Sequence, residues 1–440
     1  MKTNLLAGAV FAAVMGGWAA TPALASDDLR AAIQADYDTN LESLFVHLHE
    51  NPELSFREFE TSKRIASELT AIGYDVTTGV GRTGVVAVLE NGPGPTVLIR
   101  ADMDGLPVKE DSGLSYASTA TQANVVGKVL PVMHACGHDV HMTSLVGTAR
   151  QMMRLKDDWS GTLVLIGQPA EEIISGARAM IEDGLYERFP KPDYAIGFHV
   201  WSPVEAGKVM VPGGLAYSSS DSVDITVRGV GTHGAAPHMG VDPVLVASAL
   251  VVNLQSIVSR TINPLQPGVI TVGSFQAGTK NNIIGDSAEL KLTVRSDDPQ
   301  VRETLLSSIE RVARGTALAY GVPEALLPIV TRLPQNTPPL KNDNDTADFL
   351  RAHLSDTMPD GAVIDAARSG MGAEDFAELI QPDLGVKGVY MAVGGTPADE
   401  LEGVASHHSP FFKVSPEPSV TAGTEAMTLS AMALFARGES

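Results

Sequence analysis

Apolar positions along the chain fall into two rhythms. Between Asp28 and Glu50 they recur at helical spacing, with Leu41, Leu44, Phe45 and Leu48 on one side, which predicts a helix. A second helix is predicted from Phe56 to Ile72, stopping at Gly73. Short unbroken apolar runs follow at Val85–Leu89, Thr96–Arg100, Leu163–Gly167 and Tyr194–Val200. Runs that do not alternate are what strands covered on both faces show. Helical stretches at His141–Leu155 and Ser175–Asp183 separate them. Strand, helix and strand in succession predict an α/β fold with a mostly parallel sheet.

The rhythm changes in the middle. Ser222–Val230 alternates as a strand and Asp242–Arg260 reads as a helix; Gly268–Phe275 and Ala288–Arg295 read as strands and Pro299–Tyr320 as a long helix. With a last strand near Leu326–Thr331 the order is β-α-β-β-α-β, a split βαβ unit of α+β type. Thr337-Pro338-Pro339 marks a return to the first rhythm, with helices at Ala347–Leu354 and Ala373–Ile380 and a strand at Gly388–Val393. The expected organisation is a main domain built from residues 26–212 and 332–440, with a smaller domain, 213–331, inserted into it. A length of 440 residues suits more than one core.

The first 25 residues stand apart. Lys2 precedes an apolar stretch from Leu5 to Ala20, and Ala23-Leu24-Ala25 offers a cleavage pattern before Ser26. This is the form of a secretory signal peptide cut after Ala25, so the expectation is an exported, periplasmic protein. No later unbroken apolar run is long enough to predict a stable membrane span. Hydrophobic residues at 44% and charged residues at 19% describe a globular chain. A net charge of −21 argues against nucleic acid, whose phosphates would be repelled. With one cysteine, Cys136, an internal disulfide is impossible.

Candidate chemistry gathers where apolar strands end. Thr96–Arg100 runs into Asp102 and Asp104, Leu163–Gly167 into Glu171-Glu172, and the run from Tyr194 into His199. In open α/β sheets such ends line the ligand crevice. Between the first two lies His134-Ala135-Cys136-Gly137-His138-Asp139-Val140-His141. Cys136 and His138 cannot share a helix face but can converge in a loop, where Gly137 permits unusual backbone angles. Thiolate, imidazole and carboxylate are zinc-type ligands, and nearby carboxylates can orient the imidazoles. A structural histidine is the alternative for His138 alone. Glu171-Glu172 is either a solvated helix start or a pair that divides its labour, one carboxylate on metal and one on the attacking water. His233, in Gly231-Thr232-His233-Gly234, is a polar turn or an oxyanion donor that acts when the inserted domain closes. Asn282 and Arg295 are candidates for a substrate carboxylate, and Arg295 reads better as a strand-end surface charge.

Together these segments resemble the M20 metallopeptidases, in the amidohydrolase branch of hippurate and auxin-conjugate hydrolases. The matching pieces are Arg100–Pro107, Met133–Asp139, Gln168–Glu172, Phe198–Trp201, Gly231–His238, Asn282-Ile283-Ile284, Met371–Phe376 and His408-Ser409-Pro410. The resemblance implies two divalent metal ions per subunit, zinc or manganese with nickel or cobalt as alternatives, held by Cys136, His138, Glu172, His199 and His408. It implies Glu171 as general base and acid and His233 as the residue that polarises the scissile carbonyl, in some relatives from a partner subunit. Asp104, Asn282 and His238 enter as supporting or substrate-facing residues, and a homodimer through the inserted domain is implied. Val140 stands where glycine is usual, and Ile173-Ile174 where a Gly-rich stretch is usual.

The expected activity is hydrolysis of N-acyl amino acids to a carboxylic acid and an amino acid. A dipeptidase or carboxypeptidase with the same two-metal site is the alternative. A thiol hydrolase with Cys136 as nucleophile and a two-lobed binding protein are the readings from other classes.

Overall fold

The computed structural model describes residues 22–368 and 370–437. Residues 1–21 of the expected leader lie outside them, and the backbone from Pro22 to Asp36 is helical. In chain order the strands that matter here are β1 (Asp75–Val80), β2 (Gly84–Asn91), β3 (Thr96–Asp102), β4 (Gly161–Gln168), β5 (Tyr194–Glu205) and β6 (Val209–Met210). The middle of the chain adds β7 (Ser219–Arg228), β8 (Gly268–Ala277), β9 (Ser287–Ser296) and β10 (Ile329–Thr337), and the return adds β11 (Lys387–Thr396).

Seven strands form the main sheet in the order β1-β2-β4-β3-β5-β11-β6. The central four, β4, β3, β5 and β11, are mutually parallel. β2 and β6 run against them, and β1, antiparallel to β2, regains their direction, so the sheet is mixed but mostly parallel. Alternate residues of each central strand enter opposite layers. Val97, Ile99, Leu163, Leu165 and Ile196 meet the helices Pro22–Asp36, Glu42–Glu50, Phe59–Ile72, His138–Arg154 and Pro416–Arg437. Leu98, Val164, Ile166 and Ala195 face Ala177, Met180, Leu185 and Phe376 on the other side. Burial on both faces is the reason these strands read as unbroken apolar runs.

The inserted stretch has its own core. β8-β9-β7-β10 form an antiparallel sheet, covered on one face by the helices Pro243–Arg260 and Pro299–Ala319 through Leu250, Leu254, Ile257, Leu305 and Ile309. Asp242 and Asp298 cap these helices, each followed by a proline at the first helical position. By length and composition Pro243–Arg260 is apolar enough to cross a membrane, contrary to expectation, but it lays Leu250, Leu254 and Ile257 on the sheet. Gly214–Tyr217, leading out to this lobe, pairs antiparallel with Leu340–Asn342, leading back.

Four sequence expectations need correction. The helix over Asp28–Glu50 is interrupted by a π-turn at Tyr37–Leu41, whose wider turn keeps both Tyr37 and Leu41 buried. The helix expected at His141 begins three residues earlier, at His138. The last inserted strand is Ile329–Thr337 rather than Leu326–Thr331, so it runs across the seam expected at 331/332. Its pairing with β7 skips between Asp221 and Val223, and Pro334, which has no N–H for a ladder, falls in that bulge. Ala373–Ile380 is not an α-helix: a 3-10 segment spans Asp375–Ile380, and Glu374 and Asp375 turn inward to buried partners.

Candidate active site

The strand ends of the main sheet bring the expected residues together. Gly137 adopts φ +84, and a Cβ there would lie 2.3 Å from Val200 Cγ1, so glycine is required at this turn. The turn places Cys136 just before the His138–Arg154 helix and His138 at its first position. His138 donates Nδ1–H to the Asp104 carbonyl at 2.7 Å, which in the neutral ring leaves Nε2 as the free lone pair. That Nε2 is 3.7 Å from Asp102 Oδ2 and 3.9 Å from both Glu171 Oε2 and Glu172 Oε1. His199, midway along β5 just past the end of its pairing with β3, donates Nδ1–H to Val200 O at 2.6 Å and points Nε2 at Cys136 Sγ, 3.4 Å away. His408, with φ +67, brings Nε2 to 3.3 Å from Glu172 Oε2.

The backbone before the two adjacent glutamates is bent, and both carboxylates come to 3.9 Å from His138 Nε2. Ala170 sits at φ +53, its amide held by the buried Glu58 carboxylate at 2.9 Å. Asp104 then accepts the Glu171 amide on one oxygen at 3.0 Å and the Glu172 amide on the other at 3.1 Å. Ser55 adds a 2.6 Å hydrogen bond to the same carboxylate. Asp104 therefore fixes the backbone of both glutamates at once. Ile174 adopts φ +51, an unfavourable angle for a β-branched side chain, at the place where a Gly-rich stretch is usual.

The donor atoms form overlapping groups, each within 4.8 Å: Cys136, His138 and His199; Cys136, Glu172 and His408; His138, Glu171 and Glu172. Among the described residues, His138 Nε2 and Glu172 Oε1 are buried without any hydrogen-bond partner, which a hydrogen-bonded core avoids. Negative charge is in excess. Burial opposes a charged ring at His138, but Asp102, Asp104 and Glu172 outweigh it and carry the ring up to about 10. Burial, with a smaller push from Glu374, Glu172, Asp375 and Asp102, drives Glu171 well above the usual carboxylate range; Glu172 is pushed up to about 8, again chiefly by burial. Burial and then Glu172 and Glu171 also raise the Cys136 thiol, the reverse of what a cysteine nucleophile needs. Unsatisfied soft and hard donors in a pocket short of positive charge fit divalent cations.

His141 and His407 are engaged elsewhere. His141 donates Nδ1–H to Asp102 at 2.6 Å and accepts the Val200 amide at 2.8 Å, so it braces β5 beside His199. His407 bonds the Val200 carbonyl at 3.0 Å through Nε2 and stacks on Trp201 at 4.9 Å. The geometry thus separates His408 from its neighbour, which spacing alone left open.

Residues of the inserted lobe stand outside this cluster. His233 is exposed and lines a surface cavity made only of inserted-lobe residues, among them Asn282. Its Nδ1 accepts the Ala235 amide at 3.0 Å, so a neutral ring carries its proton on Nε2. His238 is exposed in the 3-10 turn Pro237–Met239. Arg295 is not a surface charge: it is half-buried, hydrogen-bonds Thr293 at 3.1 Å, and lies in the field of Asp221 and Glu171.

Sequence reasoning missed a buried network beneath Glu171. Arg100 binds Asp102 at 2.6 Å, Glu374 at 2.7 Å, Tyr390 Oη at 2.9 Å and Gln168 at 2.9 Å. Glu374 and Asp375 group with Glu171 within 4.8 Å. A second network joins His49 to Asp139 at 2.7 Å and to Glu110 at 3.1 Å. The available signal was Glu374-Asp375 in Met371–Phe376, but the partners lie far off in the chain.

The family model for peptidase family M20/M25/M40 matches residues 98–433. The chain belongs to that family. Among M20 relatives, the hippurate hydrolase of Campylobacter jejuni is 38% identical over 342 residues, 78% of this chain and 85% of that protein. Thermostable carboxypeptidase 2 of Saccharolobus solfataricus is 36% identical over 377 residues, 83% of this chain and 88% of that protein. Among solved M20 structures, the YXEP protein of Bacillus subtilis, described as a dinuclear metal binding peptidase, superimposes with a TM-score of 0.73 at 28% identity. The match covers 92% of this chain and 99% of that one.

Proposed function

We propose that this chain is a metal-dependent amidohydrolase that hydrolyses N-acyl amino acids to a carboxylic acid and a free amino acid. The observation that carries this reading is the convergence of Cys136, His138, Glu172, His199 and His408, two of them with orphaned buried donor atoms, beside a separate carboxylate on Glu171. The relatives named for hippurate hydrolysis and dinuclear metal binding support it. Those five residues would hold two divalent ions, zinc or manganese with nickel or cobalt as alternatives, which would supply Lewis acidity at the carbonyl and lower the pKa of water there.

The protein groups do the rest. His138 and His199 are fixed in the tautomer that presents Nε2 by their bonds to Asp104 O and Val200 O. Glu171 takes the proton of the attacking water and returns it to the leaving nitrogen. Asp104 holds Glu171 in register with Glu172. His233, with Nε2–H free, donates to the developing oxyanion when the inserted lobe approaches or when a second copy supplies it. Arg295, half-buried and without a carboxylate partner among the described residues, suits the amino-acid carboxylate.

Chelation followed by single-metal add-back, scored on hippurate and a panel of N-acyl amino acids, tests the reading. Loss with chelator and recovery with one metal is the expected result, and turnover indifferent to metal removal overturns it. Dipeptides in the same panel test the second reading, which the likeness to carboxypeptidase 2 favours.

We also propose export, with residues 1–25 as the leader, which rests on the apolar stretch and the Ala23-Leu24-Ala25 pattern. A homodimer through the inserted lobe is supported by β8, an edge strand, and by the outward Leu245 and Val252 of the neighbouring helix, 54% and 70% exposed.

A further inference from the structure

Beside the cluster lies an apolar cavity of about 570 Å3 that none of the five donor residues, nor Glu171, lines. That size falls within the ~300–1,000 Å3 range of pockets that enclose small ligands. Trp201, Met210, Leu215, Tyr217 and Ala366 contribute to its wall. Two of these also adjoin the reacting centre. Trp201 follows His199 by two residues on β5, so both project from the same face; their rings are 6.1 Å apart, and Trp201 stacks on His407. Tyr217 packs edge-on against Tyr390 at 5.8 Å, and its hydroxyl lies in the field of Cys136 and Glu171.

The polarity of the cavity decides which half of a substrate it suits. Among the described residues its one charged lining residue is Arg368, which is already neutralised: it bonds Asp297 at 3.0 Å and Ser218 Oγ at 3.1 Å. A free carboxylate finds no unpaired cation here, whereas Arg295 in the inserted lobe offers one. An amide held at the cluster therefore has an apolar recess on one side and a lone guanidinium in the other lobe.

We propose that this cavity is the acyl-group subsite and takes an aromatic or comparably bulky apolar acyl group, so that Trp201, Leu215, Tyr217 and Ala366 set acyl size. The assignment rests on the amidohydrolase reading above. An apolar ring gains roughly 25 cal/mol for each Å2 removed from water, and an acetyl group leaves most of this wall uncovered.

The test compares N-phenylacetylglycine with N-acetylglycine on the metal-loaded enzyme. In Ala366→Phe, which fills the recess from its exposed rim, the ratio of the two kcat/KM values is expected to fall by about tenfold. Leu215→Ala, which deepens the recess, is expected to move the ratio the other way. An unchanged ratio in both variants overturns the assignment. Occupancy is read separately from Trp201 emission during titration with phenylacetate and with acetate, using Trp201→Phe as the control. Phenylacetate alone is expected to change the emission, and less so in Ala366→Phe. If wild type hydrolyses neither substrate in any metal state, the amidohydrolase reading fails, and the phenylacetate titration still decides the cavity: a selective response keeps it as an aryl site, and no response removes it.

Discussion

The two lobes bury different things. The inserted lobe has an apolar interior of Val, Ile, Leu and Ala on one face of an antiparallel sheet, and its distinctive polar residues, His233, His238 and Asn282, are outside. The main lobe covers both faces of its sheet and also buries Arg100, Asp102, Asp104, His138, Asp139, Glu171, Glu374 and Asp375. Buried charges are costly unless paired, and here Arg100 joins Asp102 to Glu374 and Asp375 while His49 holds Asp139. On the proposed mechanism, one lobe holds donors at fixed spacing before any ligand arrives, while the other presents groups that act on approach.

The sharpest way to break this contrast is Glu171→Gln. Turnover is expected to fall by about 10²–10⁴, with metal content by elemental analysis unchanged. Near-wild-type rates would remove Glu171 as the base and leave the main lobe with ligands alone. His233→Ala is expected to cost about 10²–10³ in kcat while leaving metal content and thermal stability alone. If metal is lost as well, the division between a holding lobe and an approaching lobe is wrong.

Asp104→Asn sharpens the picture further. It keeps the shape but replaces one of the two acceptor oxygens that secure the glutamate amides, so metal affinity is expected to weaken by about 10–100-fold in competition with a chelator. The smallest effect concerns pH. Burial pushes His49 down, but its bonds to Asp139 and Glu110 prevail and carry it up to about 10. A raised pKa gives stability that is complete below the ordinary histidine value of about 6.5 and is lost as pH rises through about 10. Denaturant melts should therefore show His49→Gln destabilising the protein more at pH 6 than at pH 10, and an equal loss at both would contradict the pair.

Legibility in the sequence followed the same divide. The unbroken apolar runs and the acids and histidines just beyond them are local signals, so Asp104, Cys136, His138, Glu171, Glu172 and His199 could be gathered before any coordinates were known. The β-α-β-β-α-β order of the inserted lobe was legible for the same reason, since one-sided burial leaves plain alternation. Pairings between distant segments were not. Nothing near Arg100 announces Glu374, and the inward turn of Glu374 and Asp375 is why a helical pattern at Ala373–Ile380 gave a 3-10 segment instead. β1 was silent because Asp-Val-Thr-Thr-Gly-Val is a polar edge strand with little apolar pattern.

The connection between the lobes carries a mechanical consequence. The outgoing Gly214–Tyr217 and the returning Leu340–Asn342 are hydrogen-bonded to each other, so the two crossings bend as one strap rather than as two independent tethers. Arg178 of the main lobe fastens the returning strand next to it, through the carbonyls of Pro334 and Asn336. Leu215 and Tyr217, which wall the apolar recess, belong to that strap. Whatever fills the recess therefore presses on the joint between the lobes as well as on the wall of a pocket.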